Sequence, residues 1–513
     1  MRPIKNEAVY ATLYKLLILA IFAAGIGIRL YDLTDPPLDF HPARQIHSAL
    51  MARGIYAKMG GTVPEQQQSQ MIIMGITEGI IEPPINEYLV AYTYRLFNQD
   101  SLWIARLYGI FFWTIGGAAL WLLSRRLSFN IGSIAALTIY MLLPYGIYAS
   151  RSFQPEPLMI CLILLALLAF EHWHRTASWK MTVFTGLLLG LAVLSKQIVF
   201  FYLGGVLLVY ALYQKGFHSA LRDRKFLVII LLTVLPSALY LLDGFYVSGY
   251  LQNNTALRFF PEFYAQISFY LRWLRQIDQT VRISLLVLSL TCLILAKNQL
   301  VSMMSGGLVA GYLVSGFIFS YHISTHDYYH IVLIPAAALA IAPAVEKAHR
   351  WFAEQKPSFS GCVILLGLFV MWGGYQLFEA RSELKREDYR SAPEFWSDVT
   401  ERLGGQNASV IGLLKDYGAG FNYWGLIYPA PWMKTGDVYI RSLGSDGFEQ
   451  DFESQIEGKD YFVITDFEDL ARQPELLSVL SSNYPLFEHG SDYLIFDLTK
   501  PGQPSLEPVY IMP

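Results

Sequence analysis

The chain reads as a mainly α, polytopic membrane protein with a small α/β domain after its last span. Three observations carry this. Of 513 residues, 54% are hydrophobic and only 15% charged, too apolar a balance for an ordinary soluble chain of this length. Apolar runs long enough to cross a bilayer follow one another from about residue 12 to about residue 379. From Arg381 to Pro513 the sequence becomes charged and short-stranded.

Residues 12–31 form the first span, a retained helix rather than a cleaved signal, since no small-residue cleavage site precedes polar sequence. A polar segment from Thr34 to about Asp100 follows, loosest at GTVPEQQQSQ. Further spans are expected at about 103–123, 131–148, 156–171, 181–195, 197–213, 226–247, 283–296, 303–320, 328–345 and 360–379, about eleven in all. Arg125 and Arg126, Arg175 and Lys180, Lys215 to Lys225, Lys297, and Lys347 to Lys356 fall in alternate connections, on the side of Arg2 and Lys5. The positive-inside rule makes that side cytoplasmic. The other side receives the Asp39 region, SRSFQPE, the turn at Lys196, residues 248–280, YHISTHDYYH and the C-terminal tail. In the tail, SVIGLL, DYFVITDF and DYLIFDL read as buried strands, and EDYRSAPEFWSDVTERL and FEDLARQPELLSVLSS as helices. About 130 residues can enclose their own core.

A net charge of −3 offers no basic surface for nucleic acid. Cys161, Cys292 and Cys362 lie in apolar runs without a CxxC or Cys/His pattern, so neither a disulfide framework nor a cysteine zinc site is expected. Asn253 and Asn407 head N-x-S/T sequons on the outer side.

The stretch Asp35 to Lys58 organises the polar side. Asp39 stands ahead of a helix that Pro42 starts, where the positive helix end favours a carboxylate or a bound anion. From His41 onward, Arg44, Gln45 and Ser48 share one face, opposite an apolar side, as in a helix lying along a membrane surface with its polar groups presented to a cavity. Further ionisable residues gather on the same side: Glu82 before a Pro-Pro turn, Arg151 and Glu156 in SRSFQPEP, Lys196 in LSKQ, and His322, His326, Asp327 and His330. Singly each reads as a solvated charge or anchor; together, at span ends, they suggest a site. His326, Asp327 and His330 are candidate ligands for a divalent metal, since imidazole with carboxylate suits zinc or a similar ion.

In order, RLYDLTDPPLDFHPARQIHSALMARGIY, EPPINEYLVAYTYRLFNQDSLWIARLYGIFFWTIGGAALWLLSRRL, YASRSFQPEPLMICLILLALLAF, GLLLGLAVLSKQ and HDYYHIVLIPAAALAIAP resemble the GT-C superfamily of membrane glycosyltransferases. The branch is that of the protein O-mannosyltransferases and the lipid A aminoarabinose transferase. The resemblance covers most of residues 25–345. It implies a catalytic transmembrane domain over 1–380, with interfacial helices in the loop 32–100, and an extracytoplasmic domain over 381–513. It further implies transfer of a sugar from a polyprenyl-phosphate donor to a protein, lipid or glycan acceptor outside the cell membrane. Asp39 takes the place of the family's essential acidic residue, a general base on the acceptor hydroxyl. Glu156 matches the second acidic position. Lys196 stands where a basic residue ends the span and faces phosphate. Relatives commonly read KPPL where this chain reads EPPI, so another cation must serve the phosphate. Arg44, Arg151 and Lys196 are the candidates, with His41 and Glu82 also expected at the substrate, or Glu82 as a metal ligand. The competing reading is a transporter or flippase of polyprenyl-linked glycan. It calls for charges near the bilayer midplane and repeated halves, where this chain has charges at span ends and one unrepeated long loop.

Overall fold

The computed structural model describes residues 3–127, 129–252, 260–296, 298–355, 359–437 and 448–504. Arg2, Lys297, Lys356 and Asn253, named above, lie outside them. Every expected span falls on a helix. They are α1 (Pro3–Leu30), α5 (Trp103–Arg126), α6 (Asn130–Leu142) with the short α7 (Pro144–Ala149), α8 (Glu156–Thr176), α9 (Trp179–Ser195), α10 (Val199–Tyr210), α12 (Arg224–Leu242), α14 (Ile283–Ala296), α15 (Gln299–Ile318), α17 (Leu333–Glu354) and α18 (Phe359–Leu384). Between them lie α2 (Pro42–Lys58), α3 (Glu65–Thr77), α4 (Ile85–Phe97), α11 (Phe217–Ala220), α13 (Ile267–Val281) and α16 (Ser320–Thr325). Among the described residues six helices are long and apolar enough to cross a membrane, while α6, α9 and α10 are shorter apolar helices. The protein is a multi-pass membrane protein. Leu19, Phe111, Leu187, Leu231, Leu239, Val314 and Val370 are exposed on these helices, as side chains that face lipid are.

The chain divides into two compact units. Unit 1 comprises residues 1–34, 79–86 and 103–387 and holds the spans. Its helix starts are set by local chemistry: the side chains of Asp223 and Asn298 cap α12 and α15, and Pro144 opens α7. Backbone that leaves a helix must find partners inside the protein in such an environment. Three buried arginines supply them. Arg29 donates to the carbonyls of Gly25 (2.7 Å), Met141 (2.8 Å) and Gly146 (3.1 Å) and to Ser150 Oγ (2.7 Å). Arg106 reaches the carbonyls of Asp32 (3.2 Å) and Leu33 (3.0 Å), and Arg151 those of Tyr31 (2.5 Å) and Asp32 (2.8 Å).

The segment 248–280, expected only as an outer loop, contains α13, which buries Phe269, Trp273 and Ile277 and turns 84° into α14 at Arg282. Elsewhere the spans meet closely. α10 and α15 cross at Gly205, Gly307 and Gly311, where a Cβ on Gly311 would strike the carbonyl of Phe201. The Gly-x-x-x-Gly spacing thus sets a backbone-to-backbone contact.

Unit 2 comprises residues 35–78, 87–102 and 388–513. Its sheet has the order β2-β1-β3-β5-β4, from β1 (Val410–Leu413), β2 (Ala430–Pro431), β3 (Tyr461–Ile464), β4 (Leu486–His489) and β5 (Leu494–Asp497). β1 runs parallel to β2 and β3, and β5 antiparallel to β3 and β4. Both faces are covered. Ile411, Leu413, Phe462, Ile464 and Phe496 join one core with Leu476 and Leu480; Val410, Val463 and Ile495 join the other with Trp396 and Val399 of α19 (Ala392–Arg402). The three strands read from sequence are β1, β3 and β5, the continuous apolar runs that burial on both faces demands. The two-residue β2 and half-exposed β4 left no such signal.

The helix α2 departs from the surface helix its face pattern suggested. Gln45, Ser48 and Arg53 are buried along with its apolar side. Each has a partner: Gln45 Nε2 donates to the Phe40 carbonyl (2.6 Å), Ser48 Oγ to Glu87 (2.7 Å), and Arg53 to Asp100 (2.8 Å) and the Tyr423 carbonyl (2.6 Å). α2 meets α3 at Gly54 and Gly75, where a Cβ on either would lie 3.0 Å from the other's Cα.

Replacing Gly311 with Val is expected to cost about 1–3 kcal/mol or more through forced separation of α10 and α15, read as a lowered melting temperature of detergent-purified protein. A second expectation concerns pH. Burial would raise the Asp466 carboxyl, but Lys434 Nζ at 2.7 Å and the Asp469 N–H at 3.1 Å outweigh it and hold the group below the usual range. Its contribution is therefore present above about pH 4 and lost as pH falls through the lower folded value. Melting curves at about pH 6 and pH 3 are expected to differ less for Asp466→Asn than for the unsubstituted protein.

Candidate functional site

In unit 1 the sequence candidates converge on Lys196. This residue leaves the end of α9 in an extended conformation and is 5% exposed. Its ammonium pairs with Glu156, the first residue of α8, itself 2% exposed, and lies 3.9 Å from Glu82. The rings of Tyr328 and Tyr329 complete the surround, with centroids 4.7 and 5.2 Å from Nζ. Asn86 ties the Pro-Pro turn to the loop before α8 by donating to the Gln154 carbonyl (3.0 Å). Residues 114 positions apart in sequence, Glu82 and Lys196, are thereby brought together. The two tyrosines were missed in the sequence, although the YY doublet beside three histidines was visible there.

Other candidates stand elsewhere or do other work. Arg151 donates to the carbonyls of Tyr31 and Asp32 at the end of α1. Buried His330 has both ring nitrogens engaged, Nδ1 with Tyr312 (2.5 Å) and Nε2 with the Ile323 carbonyl (3.0 Å). Its neighbours His326 and Asp327 are half-buried, and His326 Nδ1 meets Thr325 Oγ1 (2.7 Å). Among the described residues no group of three or more His, Cys, Asp and Glu side chains is arranged to hold a metal ion.

In unit 2, Asp39 is half-buried just ahead of α2, with Gln45 Nε2 at 3.5 Å. His41 caps the helix by position only, in a left-handed conformation (φ 47°, ψ 63°), its ring edge-on to Phe40 at 4.5 Å. A strained non-glycine residue two positions from the candidate base is the kind of feature a functional loop retains. Arg44 lies on the first turn, half-buried. A pair not foreseen, His47 with Glu78 (2.7 Å), borders a cavity of about 190 Å³ together with Asp416 and Tyr417, both also left-handed.

Residues 81–241 match the family model described as dolichyl-phosphate-mannose-protein mannosyltransferase, a segment that contains Glu82, Arg151, Glu156 and Lys196. The fold is that of ArnT from Cupriavidus metallidurans. With the form bound to undecaprenyl phosphate the TM-score is 0.52 at 15% identity, over 95% of this chain and 97% of that one. With the apo form it is 0.54 at 14% identity, over 96% and 98%. The Archaeoglobus fulgidus oligosaccharyltransferase tethered to an acceptor peptide gives 0.54 at 12% identity, over 92% of this chain and 72% of that one. No curated protein matches the sequence. The family match and the fold agree with the resemblance to the mannosyltransferase and aminoarabinose-transferase branch of membrane glycosyltransferases.

The buried Lys196 cluster sets a stability test. Lys196→Met leaves Glu156 without its cation and is expected to cost about 3–5 kcal/mol, whereas Lys196→Met combined with Glu156→Gln recovers most of the loss. Melting temperatures of the purified single and double variants check this.

Proposed function

We propose that the protein is a glycosyltransferase of the cell membrane that moves a sugar from a polyprenyl-phosphate donor to an acceptor on the extracytoplasmic side. In this reading the N-terminus is cytoplasmic and the C-terminal domain extracytoplasmic, as the distribution of Arg and Lys among the connections suggests. The observation that carries the proposal is the Glu82–Glu156–Lys196 cluster, with Glu156 and Lys196 buried, all of it inside the segment that matches the mannosyltransferase family model.

The chemistry is a displacement at the sugar's anomeric carbon. The acceptor oxygen forms the new bond to that carbon as its proton passes to the Asp39 carboxylate. The bond from carbon to phosphate oxygen breaks, and the polyprenyl phosphate leaves with the electron pair. Lys196 meets the charge that develops on the departing phosphate, its ammonium held in place by Glu156, Glu82 and the two tyrosine rings. An ammonium has three N–H donors, so pairing with Glu156 still leaves donors for a phosphate oxygen. His41 and Arg44 are proposed contacts to the substrate.

Transfer from a panel of radiolabelled polyprenyl-phosphate sugars, measured in purified membranes at matched expression, tests this. One donor is expected to turn over, and Asp39→Asn to lower the rate about 10²-fold or more, the scale of a lost general base. Full activity in Asp39→Asn would move the base elsewhere. Turnover of none of the donors would sink the transferase reading and bring back the transporter.

A further inference from the structure

Unit 2 contains a second, larger cavity, lined by none of the residues given a role in the transfer above. It has a volume of about 800 Å³, inside the range of roughly 300–1,000 Å³ typical of small-ligand sites. One wall is α3, which presents Gln66, Gln67 and, one turn on, Gln70. The loop after α19 supplies Asn407, and the turn before β2 supplies half-buried Trp424. We propose that this cleft binds a neutral saccharide, and that the acceptor of the transfer is a glycan captured there.

The lining argues for this ligand class over the alternatives. Carboxamides donate and accept hydrogen bonds together, as sugar hydroxyls do, so a row of them matches a polyhydroxyl ligand without charge. Gln70 Oε1 is buried and has no hydrogen-bond partner among the described residues. Such an atom is costly to leave unmet, and a ligand hydroxyl would meet it. Trp424 adds a wide, rigid surface for the apolar face of a sugar ring. Among the described residues that line the cleft the charged ones are Arg53 and Glu401; Arg53 is neutralised, since it pairs with Asp100, donates to the Tyr423 carbonyl, and lies 3.4 Å from the Tyr423 ring centroid, and exposed Glu401 would repel an anion. An anionic ligand therefore finds no available counter-charge there. A peptide binding by backbone pairing finds no partner either, because no residue of a strand lines the cleft. At Gly404 and Gly405 (φ 81° and 102°) the wall is bare backbone, with open space where a Cβ would stand.

Saccharide binding stands apart from the transferase reading, while the acceptor role rests on it. The test uses the full-length protein in detergent. Calorimetric titrations with maltotetraose, chitotetraose and mannotetraose are run beside a Ser/Thr-rich peptide of similar size. At least one saccharide is expected to bind saturably in the millimolar range or tighter. Trp424→Ala should weaken it about tenfold or more, as loss of a stacking surface does, and Trp424→Phe much less. Should Trp424→Ala fail to fold, Gln66→Ala with Gln67→Ala on the outer face of α3 carries the same expectation of weakened binding. Binding of none of the saccharides, binding that these substitutions leave unchanged, or binding of the peptide alone overturns the proposal. Donor hydrolysis in the same preparations separates the two readings. Saccharide binding without any donor turnover removes the acceptor role and keeps the cleft, and turnover without saccharide binding removes the cleft and keeps the transferase.

Discussion

The constraint on which unit 1 depends is that every backbone carbonyl freed by a broken helix must be met inside the protein. Chain leaving α1 at residues 31–33 and the interruption between α6 and α7 both expose such carbonyls. Arg29, Arg106 and Arg151, each at most 2% exposed, turn their guanidinium groups onto them. A guanidinium has five donors in a fixed fork, so one side chain can tie two or three segments whose sequence positions differ by more than a hundred. Charges at span ends are costly unless they are paired in this way. The clamp fixes where the loop before α8 begins, and with it the position of Glu156.

That position makes the Lys196 cluster possible. Glu156 and Lys196 are both nearly out of solvent, so their attraction is strong and so is the penalty for removing either one. Two carboxylates and two aromatic faces around one ammonium hold the cation at a defined point.

Unit 2 shows how an outer loop becomes core. The helix α2 carries Gln45, Ser48 and Arg53 toward the interior, where each finds an acceptor, and its partner α3 approaches to glycine contact. The glutamines that remain on the other side of α3 are thereby presented to the cleft rather than consumed by packing.

What the sequence determined by itself was everything carried by local composition. The spans and the three buried strands β1, β3 and β5 are runs of like character, since burial on both sides of a sheet or within a bilayer writes itself as a continuous apolar stretch, and α19 shows apolar residues at helical spacing among charged ones. The grouping of Glu82, Glu156 and Lys196 was legible as a set of charges at span ends, and Asp39 as a carboxylate before a helix. Their partners were not. Which carbonyls Arg151 meets, which groups hold the two ring nitrogens of His330, and how deeply α2 is buried depend on segments that the fold brings within about 3 Å. Only the tertiary structure decides those, because a hydrogen-bonding side chain has the same composition whichever acceptor the fold brings to it.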